Sequence, residues 1–241
     1  MIEVGRVVEL VRYPVKSMAG IAVESAMLGW HGLDGDRRFA FRRLGETNGF
    51  PWLSASRLPQ MFLYRLEGLD ETSGEPLPTH VRTPSGSVVP LRSPELDADV
   101  AGRLGSGVEL MKLKHGIFDE AAISVITPST IAGIGRETGL DLDRRRFRAN
   151  IVVEMGRTDP FSEDAWVGGT LLFGESDTRP AVSVTMRDQR CRMVNLDPET
   201  GAQDARVMKT IARLNESCAG VYATVVRRGM IRVGDRVSLA L

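Results

Sequence analysis

Short apolar segments bounded by turn-forming residues recur along most of the chain, and they constrain its fold more than any other feature. These segments are rich in β-branched and aromatic residues, which is typical of strands. They are residues 4–12, 39–43, 62–66, 80–83, 151–154, 182–186, 221–226, 230–233 and 236–241. Gly234-Asp235 separates the last two, and glycine accepts the positive φ that a tight turn needs. The sequence therefore predicts a mainly β protein.

Helical signals are few. The predicted helices are residues 98–104, 127–139 and 205–217. Thr127 and Pro128 predict the start of the second helix, because threonine is favoured at the N-cap and proline fits the first helical position. In the third helix, Val207, Ile211 and Leu214 recur at helical spacing, so we expect them to face the core.

The length of 241 residues suits one large domain or two small ones. A strand-rich pattern meets the helix signal at Thr127 around residues 115–125, and the sequence there is not that of a flexible linker. We therefore predict two domains that pack together, residues 1–118 and 119–241.

The charge balance excludes one class of partner. Thirty-one basic residues match 31 acidic ones, whereas a protein that binds nucleic acid through phosphate contacts is usually basic. Arginine supplies 27 of the 31 basic residues, and its rigid fork of donors suits phosphate and carboxylate. A compositional bias of the genome would also explain the excess of arginine, so position must decide.

The start of the chain lacks the basic region and apolar core of a signal peptide. No apolar run approaches the roughly 20 residues needed to span a bilayer. Two cysteines, Cys191 and Cys218, do not make a disulfide framework in a chain of this length. We therefore expect a cytoplasmic protein with free thiols and no membrane contact.

Common catalytic motifs are missing from the sequence, among them the P-loop, the dinucleotide fingerprint, the nucleophile elbow and the zinc-protease helix. His31, His80 and His115 lie far apart along the chain and match no local metal-binding spacing. We interpret each of them as a surface or structural histidine.

Cys191 has the most reactive surroundings. Arg187, Arg190 and Arg192 lie within four residues of it, and neighbouring cations favour the thiolate form of cysteine. A thiolate is also the ligand that a soft metal prefers. An inert cysteine in a loop or core is the alternative that local sequence leaves open. Cys218, at the end of a predicted helix, lacks such neighbours and is interpreted as structural.

A second cluster is the arginine-rich run of residues 143–150. If the following strand extends back through Phe147, then Arg146, Arg148 and Asn150 share one face, because alternate residues of a strand point the same way. Such a face could bind an anion. A solvated basic loop is the alternative.

Two further clusters follow turns near the N-terminus. Lys16 and Ser17 come directly after a strand and a proline turn, where they could reach a phosphate or carboxylate. Asp36 and Arg37 form an acid–arginine pair in a glycine-rich turn that leads into a strand. Either cluster could equally be ordinary turn chemistry.

Taken in order, the clusters resemble the MOSC family (molybdenum-cofactor sulfurase C-terminal domain) preceded by the N-terminal β-barrel domain that accompanies it. The resemblance covers nearly the whole chain. Within the family, the sequence is most similar to the molybdenum enzymes of the mitochondrial amidoxime-reducing component type. It implies an α+β, mainly β fold, with a MOSC-type barrel core packed on an N-terminal β-rich domain. The residues that carry it are Tyr13-Pro14-Val15-Lys16-Ser17, Gly32-Leu33, Asp36-Arg37, Arg146-Phe147-Arg148, Asn150-Ile151, Trp166, Gly174, Arg190-Cys191, Asp197-Pro198-Glu199-Thr200-Gly201, Tyr222 and Val233-Gly234-Asp235.

The resemblance implies a molybdenum cofactor, which is a pterin dithiolene that carries a phosphate and whose metal is held by a protein cysteine. Cys191 falls on that cysteine, so it is the implied metal ligand and catalytic residue. The implied residues for binding the pterin or its phosphate are Lys16, Ser17, Arg37, Thr127, Arg148, Asn150, Arg190 and Tyr222.

The implied reaction is a two-electron reduction of N-hydroxylated or N-oxygenated small molecules. We expect neither an anchor helix nor an iron–sulfur domain, which would need clustered cysteines, and we therefore expect electrons from a separate donor protein. The alternative is a non-catalytic module that carries or binds the cofactor or sulfur. A third reading is a β-domain that binds sugar or nucleotide anions, in which Cys191 is incidental.

Overall fold

The computed structural model describes residues 1–47, 49–70, 72, 74–118, 120–156 and 158–241. In these ranges the strands are β1 (Ile2–Arg12), β2 (Ile21–Val23), β3 (Ser25–Gly29), β4 (Gly32–Leu33), β5 (Phe39–Arg43), β6 (Arg65–Glu67), β7 (His80–Arg82), β8 (Val88–Pro90), β9 (Val108–Lys112), β10 (Ile123–Ile126), β11 (Ile151–Glu154), β12 (Thr170–Phe173), β13 (Ala181–Gln189), β14 (Cys218–Arg227), β15 (Gly229–Arg232) and β16 (Arg236–Ala240). The α-helices are α1 (Pro94–Leu104), α2 (Pro128–Thr138) and α3 (Arg206–Asn215). Short 3₁₀ helices are Pro59–Leu63, Arg144–Phe147, Ser162–Trp166 and Arg192–Asn195.

Seven strands close into a barrel in the order β11, β10, β14, β13, β12, β16 and β1, and β1 returns to β11. β1 is antiparallel to β11 from Arg6 opposite Glu154 to Leu10 opposite Ile151. On its other side β1 pairs with β16, and β2 adds to its C-terminal part. Closure leaves the barrel strands without open edges, which removes sites for strand-to-strand aggregation. The predicted mainly β fold with a barrel core is confirmed.

The barrel interior is filled by side chains that alternate inward along its strands. Leu10, Ile151 and Val182 are fully buried there, and Trp166 closes the packing from a 3₁₀ helix. Burial of one such aliphatic side chain contributes roughly 1.5–3 kcal/mol of transfer free energy. The barrel therefore has a core of its own.

A second core lies between smaller sheets and α1. The β5–β9 ribbon and the β6–β7–β8 sheet surround this core. Its buried residues include Phe41, Met61, Tyr64 and Leu96. The predicted division at residue 118 stays a prediction, and Asp119 lies outside the described residues. In the structure β1 belongs to the barrel and β15 pairs with β3, so strands from both ends of the chain interleave.

The helix boundaries follow their caps. α2 starts after Thr127, whose Oγ1 accepts the Thr130 N–H at 3.3 Å, and it ends at Gly139 with φ 68°, as the sequence predicts. In α3 the expected contacts of Val207 and Ile211 are confirmed by full burial. Leu214 of the same helix is only partly buried.

One local expectation is wrong. The strand expected at residues 62–66 begins at Arg65, because Phe62 belongs to the 3₁₀ helix that starts at Pro59. The strand predicted over residues 151–154 is confirmed, and it does not extend back through Phe147. There the Asp143 side chain accepts the Arg145 N–H at 2.8 Å and caps a 3₁₀ helix instead.

The α1 helix begins four residues before its predicted start of residue 98. Ser93 is the N-cap, and its Oγ accepts the Leu96 N–H at 3.3 Å. Pro94 follows in the first turn of the helix. The same pair of an N-cap residue and a proline correctly predicts the start of α2.

We predict that the buried Glu163 makes stability depend on pH. Its carboxylate accepts hydrogen bonds from the Thr127 and Thr130 hydroxyls at 2.9 and 2.8 Å, while burial raises its pKa above the ordinary 4.5. As pH rises past 4.5 the unfolded chain releases this proton first, so the folded state loses relative stability. The free energy of unfolding of Glu163→Gln should therefore rise relative to that of the wild type as pH increases above 4.5, by at most about 1.4 kcal/mol per pH unit.

Urea unfolding at several pH values measures this difference. Glu137→Gln is the matched control, because Glu137 lies on the exposed side of α2, where it pairs with Arg213. The expectation fails if the gap between wild type and Glu163→Gln is the same at every pH.

Candidate functional site

A cavity of about 470 Å³ opens at the end of the barrel where β13 finishes. Seven of the predicted site residues lie in its wall, and they come from five separate segments of the chain. They are Lys16, Ser17, Arg37, Arg148, Arg190, Cys191 and Tyr222. The expectation that Lys16, Arg37, Arg148 and Cys191 line one cavity is confirmed, and the binding roles of these residues stay predictions.

Backbone strain is concentrated at this cavity. Ser17, Arg37 and Arg148 have φ of 69°, 48° and 52°, and they are three of the six non-glycine residues with positive φ in the described part of the chain. This region is unfavourable for residues with a side chain, at a cost of order 1–3 kcal/mol each. Such strain persists where the surrounding structure determines it, and here it sets the direction of three cavity side chains.

Arg37 is held by polar and aromatic contacts. Its guanidinium pairs with Asp36 and donates to Asn150 Oδ1 at 3.2 Å. Asp36 in turn accepts the Tyr13 N–H at 2.6 Å, and the Arg37 guanidinium lies 5.4 Å from the centre of the Tyr13 ring. The carboxylate that holds Arg37 thus also holds the chain segment that follows β1.

Arg148 shares the same aromatic ring. Its guanidinium lies 4.3 Å from the Tyr13 ring centre and donates to the Met18 carbonyl at 2.6 Å. Burial raises the pKa of Tyr13 to about 12, against the opposing effect of Arg148 and Arg37. Tyr13 is therefore neutral at physiological pH, and its ring face can serve both cations.

Two predicted binding residues lie behind the cavity wall rather than in it. Asn150 is fully buried, where it accepts from Arg37 and from the Ser124 N–H and donates to the Val11 carbonyl at 3.2 Å. It can position Arg37 but does not reach the cavity in the described structure.

Thr127 is also fully buried, and its hydroxyl donates to Glu163 at 2.9 Å. The N-terminus of α2, which could attract an anion, therefore already has the internal carboxylate of Glu163 beside it. The structure brings seven of the nine predicted residues to the cavity and leaves Thr127 and Asn150 behind it.

Cys191 follows β13 directly and is exposed with a free thiol. The neighbouring Arg192 donates to the Ser56 carbonyl at 2.9 Å, which ties this turn to the loop across the cavity. Cys218 is free but buried, and burial raises the pKa of its thiol. Of the two thiols, Cys191 is the one that a ligand in the cavity can reach.

Comparison with known families decides the classification. The model of the MOSC domain matches residues 112–238, and the model of the MOSC N-terminal beta barrel domain matches residues 4–92. The chain belongs to the MOSC family. MOSC domains are associated with binding of the molybdenum cofactor.

Named relatives of this MOSC protein are distant. It is 26% identical over 132 residues to mitochondrial amidoxime reducing component 2 of Homo sapiens, and to the protein of the same name from Macaca fascicularis. The match covers 49% of this chain and 37% of each relative. The YUAD protein from Bacillus subtilis is similar in structure, with a TM-score of 0.53, 14% identity and coverage of 98% of this chain and 94% of that one. That likeness shows the fold.

The MOSC cavity also holds residues that the sequence did not single out. Asp188 is 1% exposed, and its Oδ2 accepts from the Ser124 hydroxyl at 2.6 Å and pairs with Arg190 Nη2 at 2.7 Å. Burial raises the pKa of Asp188, while Arg190, Ser124, Tyr222 and Arg37 lower it. The sequence feature that could have identified Asp188 is its position three residues before Cys191. The prediction for that segment considered only its arginines and Cys191.

Elsewhere in this MOSC protein, His31 and His115 come together, with ring centres 4.3 Å apart. The described residues contain no group of three or more His, Cys, Asp or Glu side chains placed to hold a metal ion. No helix in the described ranges has the length and apolar character to cross a membrane.

We predict that Asn150 positions Arg37. Asn150→Ala removes the acceptor of two buried donors, so it should lower the free energy of unfolding by about 2 kcal/mol. In a double-mutant cycle with Arg37→Ala, measured by urea unfolding, the two effects should be non-additive by at least about 0.5 kcal/mol. Asn215→Ala paired with Arg37→Ala is the control and should be additive, since Asn215 contacts Asp164 and the Cys218 carbonyl instead. Additivity in both pairs would contradict the positioning role.

Proposed function

We propose that this MOSC protein is a molybdenum-cofactor oxidoreductase that reduces N-hydroxylated or N-oxygenated small molecules by two electrons. One observation carries the proposal: the exposed thiol of Cys191 shares the wall of one cavity with the cations Lys16, Arg37 and Arg148. The name of the amidoxime-reducing relatives supports the substrate class. Electrons would come from a separate donor protein, and we place the protein in the cytoplasm.

The cavity fits the chemistry of the cofactor. Thiolate is a suitable donor for a soft metal, and Cys191 is accessible. A phosphate needs fixed cationic donors, which Arg37 and Arg148 supply. The volume of about 470 Å³ lies in the usual range for small-molecule sites.

Each part of the cofactor has candidate partners. Cys191 would hold the metal, while Lys16, Ser17, Arg37 and Arg148 would hold the phosphate and neighbouring pterin atoms. Arg190 and Tyr222 also line the cavity and would contact the pterin. When bound, the molybdenum would supply the two electrons that reduce the N–O bond of the substrate.

The remaining steps belong to the protein. Phe50 lies at the cavity wall with about half of its surface exposed, and Lys16 Nζ is 5.9 Å from its ring centre. An apolar substrate group can pack on this ring while its polar N–O group faces the cavity. Cleavage of an N–O bond by two electrons takes up two protons and releases water, and the open side of the cavity lets water and protons reach the site.

The alternative function is a carrier of the cofactor or of sulfur without turnover. The exposure of Cys191 favours a carrier, because an acceptor protein can reach a group that is bound to an exposed thiol. The carrier and the reductase share the same cavity, so binding alone does not separate them.

We predict that Cys191→Ala loses the metal. Protein produced in a host that makes the cofactor should contain about one molybdenum per chain by mass spectrometry of the metal. Cys191→Ala should contain at least tenfold less, because the protein ligand is gone, while Cys218→Ala should match the wild type. Equal molybdenum in Cys191→Ala and wild type would show that Cys191 does not hold it.

We further predict steady turnover with an artificial electron donor. With a reduced dye and benzamidoxime, the loaded protein should form many equivalents of benzamidine per molybdenum, whereas Cys191→Ala should form none above background. A carrier would instead release its cofactor to an acceptor protein and form no more than one equivalent of product. That second result would overturn the reductase and leave cofactor binding in place.

A further inference from the structure

We propose that Asp188 selects the heterocycle bound in the cavity, by accepting N–H groups from a cyclic guanidine edge such as that of a pterin. This inference rests on the proposed function. It assigns the Asp188 carboxylate to binding the pterin ring, at the end of the cofactor away from the phosphate. It concerns a residue outside the set predicted from sequence.

The two oxygens of Asp188 differ in their surroundings. Oδ2 accepts from the Ser124 hydroxyl and pairs with Arg190, as described above. Oδ1 is buried and accepts no hydrogen bond within the described part of the chain. A buried carboxylate oxygen without a donor is unfavourable. Since Asp188 lines the cavity, a ligand there can supply the missing donor.

The sign of the charge restricts what that ligand group can be. A carboxylate only accepts hydrogen bonds, and its negative charge repels phosphate. The phosphate must therefore lie toward Lys16, Arg37 and Arg148, which leaves a neutral N–H group for Asp188. Burial raises the pKa of Asp188, and the Arg190 guanidinium beside Oδ2 opposes that effect and favours the ionised carboxylate.

A cyclic guanidine meets these requirements. Its ring N–H and exocyclic amino group lie side by side, so one or both can donate to Oδ1. Pterin and guanine both carry this edge, whereas adenine presents a ring nitrogen acceptor in place of the ring N–H. GMP and AMP therefore carry the same phosphate and sugar but differ at the edge that Asp188 would read.

The variant Asp188→Asn isolates the orphan atom. Asparagine can keep an oxygen toward Ser124 and Arg190 and place an NH₂ group where Oδ1 was, which turns an acceptor into a donor. Glu120→Gln makes the same change of charge at another carboxylate of the cavity wall and is the matched control. Thermal unfolding of both variants verifies that they fold.

The experiment measures binding to the full chain produced without cofactor. A pterin phosphate ester is followed by its own fluorescence, and GMP and AMP by calorimetry. The wild type should bind pterin phosphate, and it should prefer GMP to AMP by at least tenfold. Asp188→Asn should lose at least tenfold in affinity for pterin phosphate and lose the GMP preference, while AMP binding stays within threefold and Glu120→Gln behaves as wild type.

The outcomes separate this inference from the proposed function. If the wild type binds pterin phosphate but Asp188→Asn binds it equally well, the role of Asp188 is wrong and the cofactor site stands. If the wild type binds no pterin phosphate, the proposed function itself is wrong. If Asp188→Asn fails to fold, the affinities of the wild type for GMP and AMP provide the test. Equal affinities would overturn the inference that the cavity recognises a guanidine edge.

Discussion

The pairing of β1 with β11 is the interaction on which the rest of the structure depends. It closes the barrel with a strand from the start of the chain, so the segment that follows β1 meets the segment that precedes β11. The register continues past the strands, because the Val11 N–H donates to the Asn150 carbonyl at 2.8 Å. Lys16 and Arg148, more than 130 residues apart in sequence, reach one cavity for this reason. The strand pairing that closes the barrel thus also brings the two segments of the candidate site together.

Packing then converts this proximity into fixed geometry. Two guanidinium groups approach the ring of Tyr13, and Asp36 joins the Tyr13 backbone to Arg37. Cations that are gathered before a ligand arrives repel each other, and a π-face and a buried carboxylate offset that repulsion. A site held in this way needs little rearrangement to accept an anion, which is the general advantage of preorganisation.

Sequence reasoning succeeded where structure is set locally and failed where distant contacts decide. The caps of α2 and the strand-rich pattern are local, so the helix and the mainly β class are predicted correctly. The conformation of residues 144–148 depends on a side-chain cap and on contacts across the cavity, so the sequence left open both a strand extension and a basic loop where a 3₁₀ helix forms. The contact of Thr127 with Glu163 could not be predicted locally, because Glu163 lies 36 residues away in sequence and reaches the N-terminus of α2 only in the fold. The orphan oxygen of Asp188 is visible only once burial is known.

The balance of acidic and basic residues is also seen locally at this cavity, where arginines pair with carboxylates. Guanidinium groups that leave water are tolerated when a carboxylate accompanies them, and Arg37 and Arg190 each have one, in Asp36 and Asp188. The two carboxylates are not equivalent: Asp36 uses both of its oxygens within the protein, on Tyr13 and Arg37, whereas Asp188 uses one. Asp36 is therefore fully engaged by the fold, while Asp188 retains an acceptor that the fold leaves for another molecule. The same pairing of acid and arginine thus serves structure at one position and, through its unused oxygen, recognition at the other.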